Sequence, residues 1–463
     1  MGIVSIKTEY IKELMNILSV FDNWTKNYEY ISFEAENPAS GTMNILVFKK
    51  RTIDNNSIFL DLMVPFQTLE GNVKTVLSVK EFKSLVNEIT SERNAEQLFI
   101  EGDSKQQYAY IWAKGGENRV ISNIGLQHDV HYDMLDAQET LLDPVADQPV
   151  YACGITPAEA RTVNQCALLI GENIDYNPLI SHVIMNFSST TGERTYGSTD
   201  KYRAARHTCS NKEVENEETY NEEHGSFTIG IPQTVARLIK EMTPARKNKT
   251  TRKIGNSQLY ISVSSNYGLV ETPKGNIGFT YTPSDSRLMR LDSLARFTIE
   301  PSQQTANWGV MKVDGDSLVD LLSTIDKELL AHENNKINFV KLDNLGTGSL
   351  CISGFQAIRN EADPILAQEY IKVTQTELPE SLGIYNLKYM IGALNSLRRT
   401  QRSNLGDIYI LAPDPQKQSP LHIHAGISSA LVEDLSSKEP NRWNIGNTAS
   451  HIMINQSIIP PAS

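Results

Sequence analysis

Cysteine is scarce. Cys153, Cys166, Cys209 and Cys351 are the four in 463 residues, and no two form a Cys-x-x-Cys pair. That excludes paired redox or zinc-ribbon cysteines, and thiols so scattered read as reduced, half-buried apolar residues of a cytoplasmic protein. A zinc site drawn from Cys209, His207 and His224 follows no common ligand spacing, so no metal is expected. No apolar run approaches the roughly 20 residues that span a bilayer, so no membrane contact is expected. Met1–Lys7 lacks the charged-then-apolar layout of a secretory signal, and Ile6 stands where myristoylation of Gly2 calls for Ser or Thr. Catalytic signatures are missing too. Asn344–Ser349 lacks the Gly-Lys-Ser/Thr of a phosphate loop and reads as a hairpin turn. There is no nucleophile elbow, no His-Glu-x-x-His and no acid/base pair readable from spacing. Neither catalysis nor a cofactor is expected.

What is present is a soluble composition, 40% apolar and 21% charged, in a chain too long for one core, so two to four domains are expected. The net charge of −12 argues against nucleic acid until its distribution is read. Arg237, Lys240, Arg246, Lys247, Lys249, Arg252 and Lys253 face only Glu241 between residues 237 and 253, whereas Lys212–Glu223 holds six glutamates and one lysine. The acidic stretch is expected to be a solvated loop.

Periodicity divides the chain into three similar segments. The first opens on a helix with Thr8 as N-cap, Tyr10, Ile11, Leu14 and Leu18 on one face and Lys12 off it. Strands are expected at Tyr30–Glu34, Met43–Lys49 and Ser57–Met63, then a helix Val79–Ile89, capped by Ser78 and displaying Lys80 and Lys83. Strands Gln97–Glu101 and Tyr108–Ala113 close it. The second segment opens on a helix Pro157–Leu169 that carries Arg161, with Thr156 as cap and Pro157 at its first position. An alternating run from His182 turns at Thr191-Gly192 and returns through Thr195–His207; Phe227–Pro232 then feeds the helix Gln233–Met242. There Val235, Leu238, Ile239 and Met242 oppose Arg237 and Lys240. The third has a helix Gly315–Leu330, strands Lys336–Leu342 and Ser349–Phe355, and Ile384 leading into the helix Asn386–Arg399. That helix turns Leu387, Met390, Ile391, Leu394 and Leu397 inward and carries Lys388, Arg398 and Arg399 outward or at its end. Ile408–Leu411 and Leu421–His424 are expected to finish it.

One plan thus occurs three times: helix, strands, a strand into a second helix, two strands. Within the second copy, Ser198-Thr199-Asp200-Lys201-Tyr202-Arg203-Ala204-Ala205 resembles the Ala-Thr-Asp-Gly-His-Arg-Leu-Ala strand of the bacterial replicative sliding clamp, the beta subunit of DNA polymerase III, with Lys-Tyr in place of Gly-His. The resemblance covers about Ile3 to Gly426. It implies an α+β fold of three clamp domains, at 1–143, 149–295 and 296–426, each with two helices packed on antiparallel sheet. The three form a crescent, and two crescents close head-to-tail into a homodimer ring. It also implies a DNA sliding clamp that encircles duplex DNA without reading sequence and tethers the DNA polymerase as a processivity factor. Lys12, Lys80, Lys83, Arg161, Arg237, Lys240, Arg246, Lys247, Lys388, Arg398 and Arg399 would then face the DNA phosphates. The alternative for any one of them is a solvated helix face. Polymerase and clamp loader would dock short peptides into a pocket implied at Thr199, Asp200, Lys201, Tyr202, Arg203, Ala204, Pro283, Arg287 and Ile423. A plain hairpin turn, with Asp200 chosen for local hydrogen bonding, is the alternative for 199–204. The family ends in a short Met-Pro-Met-like tail at the pocket; here Leu421–Gly426 is taken as the matching strand, and 427–463 as a C-terminal extension, whose readings are a cover for the pocket, a partner for a sheet edge, or a loose tail. The competing functional reading keeps the fold but makes the chain an adaptor that recruits partner proteins without serving a polymerase. An unrelated α/β enzyme with a cleft near His207, Cys209 and His224 is the third.

Overall fold

The computed structural model describes residues 2–20, 27–35, 41–51, 57–92, 96–127, 130, 151–169, 182–188, 193–200, 202–209, 227–243, 259–263, 267–280, 282–283, 309–332, 336–358, 361–375, 380–400, 405–412, 420–425, 450–455, 457 and 461. Its α-helices among these are α1 (Thr8–Ser19), α2 (Val79–Glu92), α3 (Pro157–Leu169), α4 (Gln233–Met242), α5 (Gly315–Leu330) and α6 (Leu387–Thr400). None is long and apolar enough to cross a membrane. The described residues fall into two compact units, one drawn from 2–160 and 231–283, the other from 161–209, 227–230 and 309–461.

The first unit holds two antiparallel sheets. One runs in spatial order Gln67–Glu70, Gly2–Lys7, Gln97–Gly102, Tyr108–Ala113, Arg119–Ser122. The other runs Tyr151–Ile155, Leu259–Val263, Tyr267–Thr272, Gly275–Thr280, Ser57–Pro65, Thr42–Arg51, Asn27–Ala35, Val73–Ser78. This second sheet joins strands from 1–143 to strands from 149–295, so it crosses the boundary read from the sequence. The joint needs a glycine: Gly275 has φ of 136°, and a Cβ there would stand 2.0 Å from the Asp61 carbonyl oxygen.

Helix α1 buries Ile11, Leu14, Ile17 and Leu18. Its N-cap position is Lys7, not the expected Thr8, whose own N–H is taken up by the Glu96 carbonyl at 3.0 Å. Ser78 caps α2, its Oγ accepting the Glu81 N–H at 3.4 Å, and Phe82 packs on Phe33 with ring centroids 5.1 Å apart. Lys274 ties two helices together, pairing with Glu13 of α1 and donating to the Glu241 carbonyl of α4 at 2.9 Å. Ahead of α3, Thr156 and Glu159 form the reciprocal capping box that the sequence spells: Oγ1 accepts the Glu159 N–H at 3.2 Å, and Oε2 accepts the Thr156 N–H at 2.7 Å.

In the second unit the larger sheet runs His182–Ser188, Glu193–Thr199, Arg203–Cys209, Ser450–Ile454, Leu421–Ala425, Asp407–Ala412, Gly309–Asp314. A smaller sheet pairs Ser381–Asn386, Ile337–Asn344, Ser349–Ile358 and Ala367–Lys372, the last a strand that sequence reading does not anticipate. The large core of this unit packs Leu318, Leu322 and Ile325 of α5 and Leu387, Met390, Leu394 and Leu397 of α6 with Ile408, Ile410, Ile423, Ile452 and Ile454. Its closeness shows at Gly354, where a Cβ would meet the Ile325 Cγ2 at 2.5 Å.

The end of the chain departs most from expectation. Residues 450–454 are not part of an appendage: they form an interior strand, paired with Arg203–Cys209 on one side and Leu421–Ala425 on the other. The physical reason is in the alternation of Ser450-His451-Ile452-Met453-Ile454. Ile452 and Ile454 enter the core fully buried while His451 and Met453 take the opposite face, and both rows of backbone groups are satisfied.

Candidate functional site

The turn between Glu193–Thr199 and Arg203–Cys209 is tied from within. Asp200 is 6% exposed. Its Oδ1 accepts the backbone N–H groups of Tyr202 at 3.0 Å and Arg203 at 2.7 Å. Its Oδ2 takes the Arg203 guanidinium in a fork, Nε at 2.9 Å and Nη2 at 2.7 Å. The Arg203 carbonyl closes the turn by accepting the Thr199 hydroxyl at 2.7 Å and the Asp200 N–H at 3.1 Å. So the short Asp-x-x-Arg spacing does two jobs: the acid orders the turn, and the arginine fixes the acid.

The same guanidinium reaches two further elements. Nη2 donates to the Leu169 carbonyl at 3.1 Å, satisfying an orphan group at the end of α3. Its carbon lies 4.6 Å from the centroid of the Tyr389 ring on α6. Tyr202 stacks on that ring, with centroids 5.7 Å apart and planes within 23°. Gly392, one turn further along α6, leaves the room this needs, since a Cβ there would stand 3.0 Å from the Arg203 Nη1. Burial is the main force raising the Tyr389 hydroxyl above its ordinary pKa, with Asp200 acting the same way against Arg203. That hydroxyl therefore stays protonated. The last strand completes the arrangement: the Asn455 N–H donates to the Tyr202 carbonyl at 2.9 Å, and the Ser457 N–H to the Ile384 carbonyl at 2.8 Å.

The product is a two-tyrosine platform beside a buried ion pair. Tyr202 is 57% exposed on it, and Leu168 is 44% exposed beside the Leu169 carbonyl that Arg203 holds. A flat apolar or aromatic group with hydrogen-bonding capacity fits such a surface.

The structure brings Thr199, Asp200, Tyr202, Arg203 and Ala204 together as one turn, with Ala204 buried. Ile423 does not join them. It is fully buried in the core cluster and has no surface to offer a peptide, so it is removed from the site. Pro283 lies in a short strand whose side chains are not described, and Lys201 and Arg287 fall outside the described residues. Sequence reading missed Tyr389, Leu168 and Asn455–Ser457. Tyr389 was legible only as an aromatic on α6; its partners lie 186 and 187 positions upstream, and no local pattern joins them.

Of the basic set, Lys12 on α1, Lys80 on α2, Arg161 on α3, Lys240 on α4 and Lys388 on α6 are exposed, and Lys83, Arg237 and Arg398 are half-buried. Lys240 pairs with Glu241 at 2.5 Å, and Arg398 lies 3.4 Å from Asp316. Arg246 and Lys247 are outside the described residues, as is the side chain of Arg399. Helix α5 carries no residue of this set and exposes Asp320 and Glu328 along with Lys327. For the metal alternative, His207 is buried with its Nδ1 2.8 Å from the Ser450 hydroxyl, Cys209 is half-buried, and His224 lies outside the described residues.

No family model matches the chain, and no curated protein is similar to it in sequence. Solved structures are similar over its whole length. DNA polymerase III subunit beta of Borrelia burgdorferi superposes with a TM-score of 0.63 at 13% identity, covering 99% of this chain and 100% of that one. The Helicobacter pylori beta clamp bound to a DNA ligase peptide gives 0.61 at 12% identity, over 99% and 100%. The DNA polymerase sliding clamp of Pseudomonas aeruginosa gives 0.59 at 10%, over 99% and 100%. The chain has the sliding-clamp fold.

Proposed function

We propose that the chain is the subunit of a DNA sliding clamp, a divergent relative of the DNA polymerase III beta subunit. In this reading a head-to-tail homodimer encircles duplex DNA and tethers a DNA polymerase and its clamp loader through short peptides. The observation that carries it is the coincidence of two things. The clamp fold spans 99% of the chain, and the residues that resemble the family's Thr-Asp-x-x-Arg strand form the ordered turn beneath the exposed tyrosine.

The three clamp domains would be 1–143, 149–295 and a third that starts at 296 and closes on Ser450–Ile454. Lys12, Lys80, Lys83, Arg161, Arg237, Lys240, Lys388 and Arg398 would meet phosphates from the helices, with α5 contributing little because its exposed charges, Asp320, Lys327 and Glu328, are acidic on balance. Contacts of that kind hold any duplex and read no base. Encirclement supplies the retention, so individually weak contacts suffice. The peptide would lay an aromatic or apolar side chain on the Tyr202–Tyr389 platform. The Helicobacter clamp bound to a DNA ligase peptide is the precedent for a ligand of that class.

The test is retention on DNA. After loading, the protein should stay on closed circular duplex and run off the same duplex once linearised, and light scattering should give twice the 51.8 kDa of the chain. Equal loss from both topologies overturns the ring. Retention with peptide binding but no stimulation of any polymerase selects the adaptor reading instead.

A further inference from the structure

Four histidines meet at the last strand. His451 lies opposite His424 of Leu421–Ala425 and opposite Arg206 of Arg203–Cys209, so all three side chains share one face of the sheet. The His424 and His451 rings stack with centroids 4.2 Å apart and planes within 4°. The His422 ring lies nearly parallel to His451, centroids 5.2 Å apart and planes within 13°, with its Nδ1 in a hydrogen bond with the His451 Nε2 at 3.0 Å. On the other face, His207 is bonded to Ser450, the residue before His451. All four imidazoles are at most 3% exposed, His424 at 0%. The arrangement does not converge lone pairs on one point: a face-to-face ring cannot aim a nitrogen at the point its neighbour's nitrogen addresses. It is a buried stack with one ring-to-ring hydrogen bond, and burial favours its neutral rings.

The surroundings leave no room for a second charge. Arg206 is the charged group on His451 from Arg203–Cys209, and the other groups acting on it are His424, His422 and His207. Asp407–Ala412 brings Tyr409 opposite His424, and beyond it Lys312, paired with Asp407 at 2.6 Å. Helix α6 meets the strand from the core side with apolar residues. No carboxylate is among the groups that shift His207, His422, His424 or His451. Both ring nitrogens of His424 and the Nε2 of His207 lack hydrogen-bond partners, so a proton taken up there gains no acceptor.

We propose that His207, His422, His424 and His451 form an acid-released latch on the chain's last strand. Neutral, they let Ser450–Ile454 sit between its two neighbours; protonated, they expel it. Burial holds His207 and His422 down at about 4 and His424 at about 3, and drives His451 well below the ordinary range. A strand that opens returns such rings toward their ordinary 6.5. The open state therefore binds more protons than the closed one, so closure is fully stable above about pH 6.5 and weakens as pH falls through 6.5 toward 4. One histidine shifted from 6.5 to about 4 favours opening about 30-fold at about pH 5. Opening also withdraws Asn455 from the Tyr202 carbonyl. The latch rests on the sheet alone and stands whatever the tyrosine platform binds.

Amide hydrogen exchange on the full chain tests it, corrected for the pH dependence of chemical exchange. The logarithm of the opening constant for 450–454, plotted against pH between about 6.5 and 5, has a slope equal to the protons taken up on opening. The expected slope is about 2 or more, with the strand Ser349–Ile358 of the same unit flat over that range. His424→Phe, which keeps a ring on His451, should lower the slope by about one, while the exposed His332→Gln leaves it unchanged. A wild-type slope below about one overturns the latch, as does an equal slope in Ser349–Ile358, which would be opening of the whole unit. The wild-type slope decides the matter even if His424→Phe does not fold.

Discussion

Replacing Arg203 with alanine should cost far more than its place in a surface turn suggests. Its side chain is 12% exposed and its partner's 6%, so the pair is closer to a buried ion pair than to an exposed one. Removing one member of a buried pair typically costs about 3–5 kcal/mol because the other charge is stranded. Asp200 keeps two backbone N–H donors, from Tyr202 and from residue 203 itself, which brings that part down to about 2 kcal/mol. The lost bond to the Leu169 carbonyl adds about 1 kcal/mol, and the lost contact with the Tyr389 ring about another 1. The expected loss is about 4 kcal/mol by equilibrium denaturation in urea, read as a lower midpoint at unchanged slope. Arg203→Lys keeps the charge without the planar fork and should recover less than half of it. A loss under about 1 kcal/mol for Arg203→Ala, the size of an exposed salt bridge, would refute the claim that this pair organises the turn.

The remaining expectations are more direct. Tyr202→Ala should weaken a clamp-binding peptide by at least about tenfold in fluorescence polarisation, with Tyr202→Phe close to wild type, because the ring and not its hydroxyl stacks on Tyr389. Charge reversal at Lys12, Lys80, Lys240 and Lys388 together should flatten the salt dependence of DNA binding by roughly 0.9 in log–log slope per lost phosphate contact, and an unchanged slope would remove these residues from the DNA interface. Gly354→Ala should lower stability by about 1–3 kcal/mol through the clash with Ile325, measured by the same denaturation. A chain truncated after residue 449 should fail to fold its second unit, since two strands lose their shared neighbour; native-like near-UV dichroism in that truncation would contradict the pairing.

Much of this architecture is legible in the sequence because local rules and tertiary demands agree. The helices at 157–169, 233–242 and 315–330 carry their period, and Thr156 marks the cap of the first. Val235, Leu238, Ile239 and Met242 are fully buried as their spacing requires. The place of the chain's end is not legible locally, for a reason that is also physical. His451-Ile452-Met453-Ile454 alternates no better than Leu421-His422-Ile423-His424, and nothing local says which of two short strands lies beside Arg203–Cys209. That choice is made by long-range pairing. The candidate site was half legible for the same reason: Asp200 and Arg203 are three residues apart and declare their turn, whereas Tyr389 is brought to them by the packing of α6.

The interior place of Ser450–Ile454 changes what the chain's end can do. Appended after a finished sheet, residues 427–463 would be free to cover a binding surface or leave it. Built in, the strand delivers its next residue, Asn455, to the Tyr202 carbonyl, and Ser457 to Ile384, so residues just past it are fixed to the turn and to the smaller sheet. In the proposed function, a ligand at the tyrosine platform would meet backbone held by hydrogen bonds of 2.9 and 2.8 Å. In the sequence, residues 426–449 separate this strand from Leu421–Ala425, its neighbour in the sheet. Sequence changes between 426 and 449 should therefore leave peptide affinity alone, whereas Ser457→Pro, which deletes the N–H that reaches Ile384, should lower it at little cost in stability. The opposite pattern, with affinity tracking the 426–449 segment, would mean that this segment meets the ligand.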